Sequence, residues 1–134
     1  MVIPYRIIQI KTQQFALFHE KYVNGEGVAV KAEYEFKVHS TLCNVVCISS
    51  FNYSQGENLL MTIQLDCTFA VSQEGFQQLQ ESRMIPVGFL QYLATICTGT
   101  ARGVIHAKTE GTVLNTVVLP PINLLEIIKD DLHF

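Results

Sequence analysis

Four histidines and four cysteines are the side chains of this sequence that could bind a metal ion or act as nucleophiles. A metal site needs several such ligands at one point. Cys43 and Cys47 fall on one side of a predicted strand, but four residues along a strand is too far to share a metal without two further ligands. We therefore expect exposed or hydrogen-bonded imidazoles and buried thiols. The rest of this set is His19, His39, His106, His133, Cys67 and Cys97.

The sequence also lacks the motifs of nucleophile elbows and of dinucleotide-binding loops. Residues 99–103 (Gly-Thr-Ala-Arg-Gly) resemble a glycine-rich loop, but they lie inside a predicted helix and do not follow a strand, so they cannot hold a phosphate. Arg102 is expected to be structural, either paired with a carboxylate at a subunit contact or solvated. We expect no enzymatic activity, no cofactor and no metal.

Size and composition predict a single domain covering residues 1–134. Hydrophobic residues make up 49% of the chain and charged residues 16%, which is enough to build a core. Nine basic and twelve acidic residues occur without any Lys/Arg cluster, which excludes a nucleic-acid partner. The apolar runs are too short to span a bilayer, and the first residues lack a secretory pattern. We expect a cytoplasmic protein with reduced thiols.

Four strands are predicted, at residues 5–19, 28–38, 42–53 and 59–71, and apolar and polar residues alternate cleanly at residues 28–38 and 59–71. The apolar phase of the first strand slips near Gln13, which predicts a bulge. Short loops between successive strands predict an antiparallel meander. Because residues 42–53 are apolar on both faces, they are either covered by a neighbouring subunit or part of a binding surface.

Helices are predicted after the strands, which makes the fold class α+β. Ser72 can cap a short helix at residues 74–83. A long amphipathic helix begins at residues 84–87, with a proline in its first turn, and stops at Gly111.

The C-terminal third is predicted to leave the long helix, extend and then close with a second helix. Residues 112–119 are rich in Thr and Val and should be extended, and the double proline that follows forbids helix. Asn123 and Glu126 have the spacing of a capping box for a closing helix at residues 124–132. A helix this short and apolar is stable only when it packs against another part of the protein.

A ridge of small residues runs along the long helix at every fourth position. Each glycine inside a helix costs roughly 1 kcal/mol relative to alanine, so two on one ridge predict that another helix approaches closely there. The alternative is that the helix frays at Gly99 and the spacing is accidental. The predicted oligomer interface is therefore Thr95, Gly99, Gly103 and Ala107.

The order of elements and three late motifs resemble the SecB family of protein-export chaperones. The long helix contains Ala101-Arg102, where the family typically shows an Ala-Arg pair. Its end, Gly111-Thr112, is similar to the family's Arg-Gly-Thr. Residues 119–123 (Leu-Pro-Pro-Ile-Asn) resemble the Leu-Ala-Pro-Val-Asn that precedes the family's last helix.

This resemblance implies a SecB-like fold that acts as an ATP-independent holdase, a bacterial cytoplasmic chaperone of protein export. It implies a homotetramer built as a dimer of dimers, with long helices between two sheets and apolar grooves that hold unfolded polypeptide. Such holding requires apolar surface and strand edges rather than chemistry. For each candidate taken singly, ordinary core or subunit contact is the alternative. The candidate groove residues are Phe51, Tyr53, Leu119, Ile122 and Leu125.

Two partners follow from the resemblance, the SecA motor or an antitoxin. Family members that deliver preproteins to SecA are strongly acidic and carry a flexible tail, whereas this chain is weakly acidic and stops at Phe134. Protection of an antitoxin fits such a member equally well. A different class of function is an oligomeric adaptor of the same fold that binds one folded partner or a small apolar ligand. An unrelated α+β fold with this element order by chance is a third alternative.

Overall fold

A computed structural model describes residues 3–134 and has the predicted α+β class, with a four-stranded antiparallel sheet followed by helices. The long strands are β1 (Tyr5–Leu17), β2 (Ala29–His39), β3 (Asn44–Gln55) and β4 (Asn58–Val71). All four strands of this sheet are predicted, with bounds that differ by at most two residues.

The strand order is β1-β4-β3-β2, so the prediction of a simple meander is wrong for β1. β1 pairs with β4, from Tyr5 opposite Val71 to Leu17 opposite Met61. The connection after β1 carries the chain across to the far edge of the sheet, where β2 pairs with β3. The loop after β1 is long enough to make this crossing, and loop length alone does not reveal it.

Two register shifts interrupt β1. The shift between Thr12 and Gln14 confirms the bulge predicted near Gln13, and Gln13 donates from Nε2 to Asp66 Oδ2 at 2.9 Å. The other shift lies between Ile7 and Gln9 and was not predicted, because Ile7 and Ile8 are both apolar and hide the change of phase.

The core lies between the helix-facing side of the sheet and helix α2 (Val87–Thr109). α2 runs without a break through Gly99, so the alternative of a frayed helix is wrong. α2 begins at Val87, whereas the sequence predicted a helix that opens at Met84. The start is later because Met84–Ile85 form a short strand, β5. The side chains of α2 that face the sheet and are at most 2% exposed are Leu90, Leu93, Ala94, Cys97, Ala101 and Ile105.

Helix α1 (Gln73–Ser82) confirms the predicted short helix and its cap. Ser72 Oγ accepts a hydrogen bond from the Gly75 backbone N–H at 3.1 Å, which satisfies one of the free donors of the first turn.

The predicted closing helix at residues 124–132 is confirmed at its start but is wrong in its length. Helix α3 covers only Leu124–Ile127, and the Asn123 side chain makes no capping hydrogen bond, so the predicted capping box does not form. The chain then extends to β6 (Leu132–His133), which pairs with β5. Tertiary contacts outweigh the propensity of a short helix here.

Hydrogen bonds from the last residues to α2 supply those contacts. The Val87 backbone N–H donates to Asp131 Oδ1 at 2.7 Å, so a carboxylate lies at the positive end of α2. Gln91 Nε2 donates to the Ile128 carbonyl at 2.8 Å. The C-terminal segment therefore holds the start of the long helix.

None of the helices in residues 3–134 combines the length and the apolar character needed to cross a lipid bilayer.

Candidate functional site

Three thiols meet at the contact between the sheet and α2. Cys47 of β3 is the register partner of Cys67 of β4, and both are fully buried, as is Cys97 of α2. Hydrogen bonding to Cys97, burial and the nearby Cys97 and Asp66 groups raise the pKa of the Cys67 thiol well above its ordinary value. Hydrogen bonding to Cys47, then burial, raises the pKa of the Cys97 thiol. Thiols held neutral and buried are inert nucleophiles.

Cys43 does not belong to this cluster. It ends a 3₁₀ turn in the left-handed region, with φ 53°, just before β3 begins, so the prediction that it shares a strand face with Cys47 is wrong. Within residues 3–134, His, Cys, Asp and Glu side chains form no group of three or more that could hold a metal ion.

The small-residue ridge of α2 faces away from the sheet. Thr95, Gly99, Gly103 and Ala107 are all exposed. A Cβ atom added at Gly99 or Gly103 would meet no atom within 4 Å among the described residues. Among residues 3–134, no close neighbour of these two positions explains the glycines, so contact with another chain at this ridge stays a prediction.

A second exposed apolar surface lies along β1, a free edge of the sheet. Ile7, Ile8 and Ile10 are 39%, 46% and 51% exposed. Ile7 and Ile10 pair with the buried residues Phe69 and Cys67, so they lie on the helix-facing side where α2 leaves them uncovered. Sequence reasoning missed this surface, although its signal was present in three isoleucines within four positions.

Tyr92 extends that surface onto α2. Its side chain is 60% exposed, and its ring lies 5.9 Å from that of Tyr5, which also contacts Phe89 edge-on at 5.5 Å. A row of aromatic rings therefore links the start of β1 to the start of α2.

Residues 112–123, which we call the strap, run back along α2 towards its middle. The strap contains a 3₁₀ turn at Val113–Thr116, where an extended segment was predicted, and that prediction is wrong for these four residues. The Asn115 side chain links this turn to α2, because its Nδ2 donates a hydrogen bond to the His106 carbonyl oxygen at 2.9 Å. Leu114 and Leu119 anchor the strap in the core, with at most 1% exposure.

Arg102 holds the second half of the strap. Its Nε donates to the Leu119 carbonyl at 2.7 Å and its Nη2 to the Pro120 carbonyl at 3.1 Å. The observed role is structural, as predicted, but in this chain the partners are backbone carbonyls and not a carboxylate. Among the described residues, these are the only hydrogen bonds made by residues 118–122.

A cleft of about 330 Å³ separates the strap from α2. Gly99 and Gly103 leave one wall without side chains, and Arg102, Val117 and Leu119 contribute to the rest. The cleft therefore joins the predicted ridge to one of the predicted groove residues.

The five candidate groove residues do not form one open surface. Phe51 and Tyr53 are fully buried on the helix-facing side of β3, and Leu119 is 1% exposed. Ile122 is partly buried, and Leu125 is 71% exposed. A polypeptide can reach only Leu125 freely in this conformation, so polypeptide binding by the set stays a prediction.

The Tyr53 hydroxyl is an unusual feature of the core. It is buried and has no hydrogen-bond partner among the described residues, whereas the Tyr34 hydroxyl bonds to Thr98 Oγ1 at 2.6 Å. Burial raises the pKa of Tyr53 to about 12, and the Arg102 charge acts in the opposite direction. Sequence reasoning could not predict an unpaired hydroxyl.

No protein-family model matches the chain, and no curated protein matches it in sequence. Among solved structures, the chain is similar to a SecB-like chaperone of Mycobacterium tuberculosis in complex with a ChAD peptide from an antitoxin. The two are 11% identical, with a TM-score of 0.49 over 89% of this chain and 91% of the other.

Proposed function

We propose that this protein is an ATP-independent holdase chaperone that binds unfolded polypeptides as a homotetramer in the bacterial cytoplasm. The observation that carries the proposal is the apolar surface left exposed on both flanks of α2, by Ile10 and Tyr92 on one side and Val118 on the other. Exposed apolar surface marks interaction sites in soluble proteins. The motifs shared with SecB chaperones point to the same activity.

Self-association uses the ridge and the edge of β1. The ridge is exposed and bare at Gly99 and Gly103, so a second helix can approach the backbone of α2 closely. The free edge of β1 presents unpaired backbone groups beside Ile8 and Ile10, which another strand can pair with and cover. Two separate surfaces are what a dimer of dimers requires.

Clients bind on the strap side of α2. Val118 is 64% exposed and Leu125 71% exposed, and both border segments without strand pairing. An unfolded chain offers apolar side chains and backbone groups in any order, so this surface can hold many sequences. Burial of apolar surface contributes about 25 cal/mol per Å² to the free energy of binding. No covalent bond is made or broken. Release needs only dilution or a competing partner, which is why ATP is not required.

The client and its destination follow from the same resemblance. Preproteins passed to SecA and an antitoxin kept from aggregation are the two candidates, and both present non-native polypeptide to the same surface. The four free thiols fit a reducing compartment.

Titration of a permanently unfolded polypeptide tests this function. A fluorescently labelled, reduced and carboxymethylated protein is added while light scattering follows the mass of the oligomer in the same samples. We expect saturable binding, at micromolar or tighter affinity, by a tetramer, and no binding of the same polypeptide in its folded, oxidised form. A stable oligomer that ignores the unfolded chain would contradict the holdase and favour an adaptor for one folded partner.

A further inference from the structure

The crossing loop, residues 18–28, carries the chain from β1 to β2 and contains a turn at Asn24–Gly25. Both residues of the turn are exposed. Gly25 has a φ of 89°, in the left-handed region that glycine adopts without strain. A Cβ atom added at Gly25 would meet no atom within 4 Å among the described residues, so solvent surrounds this turn.

An asparagine followed by a glycine carries both groups of an intramolecular reaction. After hydroxide removes its proton, the Gly25 backbone nitrogen attacks the side-chain carbonyl carbon of Asn24. The amide nitrogen of that side chain takes up a proton and leaves as ammonia, and a five-membered succinimide ring closes. Water then breaks one of the two bonds from the ring nitrogen to carbon. Cleavage at the side-chain carbonyl gives aspartate, and cleavage at the main-chain carbonyl gives isoaspartate, in which the main chain runs through the former side chain.

Asn24 differs from the other asparagines of the chain in its neighbour. Of the six asparagines, only Asn24 precedes a glycine, which has no side chain to hinder the attack. The Gly25 N–H donates to no backbone acceptor among the described residues, so the attacking nitrogen is not held by the backbone.

Gln55, the last residue of β3, holds both ends of this turn, and its side chain is only 3% exposed. Its Oε1 accepts a hydrogen bond from the Val23 N–H at 2.9 Å. Its Nε2 donates to the Val23 carbonyl at 2.9 Å and to the Glu26 carbonyl at 3.2 Å. Ring closure requires a particular main-chain angle at Asn24. Hydrogen bonds that fix the residues on both sides restrict this angle, so the reaction needs local opening of the turn.

We infer that Asn24–Gly25 is a site of spontaneous modification to aspartate and isoaspartate, and that Gln55 is a positioning residue that slows the reaction by fixing the turn. Isoaspartate lengthens the main chain between Val23 and Glu26, so one glutamine side chain no longer matches both ends. Each product also adds a negative charge two residues before Glu26. The conversion therefore loosens the crossing loop, whether or not the chain is a holdase.

Incubation of the purified native chain at mildly alkaline pH tests the site. Peptide mapping by mass spectrometry detects the replacement of an amide by a carboxylic acid, and chromatography separates the two products. We expect Asn24 to convert at a rate that rises with pH, because hydroxide removes the Gly25 proton. The other five asparagines are internal controls and should stay unchanged over the same period. No conversion at Asn24, or equal conversion at all six, would overturn the site.

The role of Gln55 is tested by Gln55→Leu, which removes the three hydrogen bonds and keeps a buried side chain. We expect Asn24 to convert faster by about tenfold. Gln91→Leu is the matched control, because it removes a glutamine hydrogen bond to another backbone carbonyl, that of Ile128, and should convert at the native rate. An unchanged rate in Gln55→Leu would overturn the protective role and leave the site itself intact.

The native chain unfolded in urea provides a second measurement that does not require the variant to fold. Unfolding releases the turn, so Asn24 should convert faster in urea than in the folded chain at the same pH. Equal rates in the two states would overturn protection by Gln55. If Gln55→Leu does not fold, this comparison alone decides its role.

Discussion

The two long sides of α2 differ in their exposure to solvent. The sheet-facing side is closed, with Leu93, Ala94 and Cys97 at 0% exposure. The outward side has exposed glycines at positions 99 and 103, with open space above them. One helix thus supplies most of the packing of the fold on one side and leaves the other side free for association. Substitutions on the two sides should therefore change different quantities.

The largest effect on stability is expected on the closed side. Phe51→Ala removes a fully buried ring that contacts Tyr34 edge-on at 6.0 Å. The loss of apolar burial and the cavity left behind should lower the free energy of unfolding by about 3 to 5 kcal/mol. Denaturant unfolding measures this change. A loss below about 1 kcal/mol would show that Phe51 is not core, and would restore it as a candidate for an open groove.

A smaller effect is expected from the buried thiols at alkaline pH. The pKa values of Cys67 and Cys97 are raised above 9.0 in the folded chain, so both thiols stay neutral there while they ionise in the unfolded chain. The unfolded state then binds fewer protons, and stability is retained below about pH 9 and falls above it. The expected loss is about 1.4 kcal/mol per pH unit for each thiol.

Denaturant unfolding between about pH 8 and about pH 10 measures that slope. Cys97→Ala removes one of the two thiols and should make the decline between about pH 9 and about pH 10 shallower than in the native chain. An identical slope in this variant would show that Cys97 does not differ in its pKa between the two states.

The smallest effect on stability, and the clearest on assembly, is expected on the open side. A Cβ atom at Gly103 meets no atom within 4 Å among the described residues, and leucine has the better helix propensity, so Gly103→Leu should stabilise the monomer by up to about 1 kcal/mol. The proposed oligomer should nevertheless dissociate, because the new side chain stands where a second helix would approach. Light scattering measures the mass. Gly88→Leu, at an equally open position outside the ridge, is the matched control and should leave the mass unchanged.

The sequence predicted the elements whose pattern is local. The alternation of β2 and β4, the cap at Ser72 and the slip of phase near Gln13 are each visible within about a dozen residues, and each is confirmed. The pairing of β1 with β4 and the early end of α3 depend on distant residues. Asp131 at the start of α2 is one of these, because nothing near Val87 in sequence predicts it.

The candidate site was predicted less well than the fold. The pattern of residues 42–53 indicates apolar surface on both faces but does not say which face is covered, and the structure buries Phe51 and Tyr53 in the core on the helix-facing side of β3. Arg102 was correctly expected to be structural, yet its partners are carbonyls, which any sequence offers. The pattern of side chains in a sequence does not show which backbone carbonyl will accept a hydrogen bond. The partners of Arg102 are therefore visible only in the structure.

The place of β1 in the sheet has a consequence for synthesis. Tyr5, the first residue of β1, pairs with Val71, which lies 66 positions later. This pair cannot form until Val71 has been synthesised. At roughly 5 to 20 residues per second, the first strand stays unpaired for roughly 3 to 13 s, with Ile7, Ile8 and Ile10 in solvent. Until β4 leaves the ribosome, the nascent chain carries an unpaired apolar segment, and exposed segments of this kind are prone to aggregate.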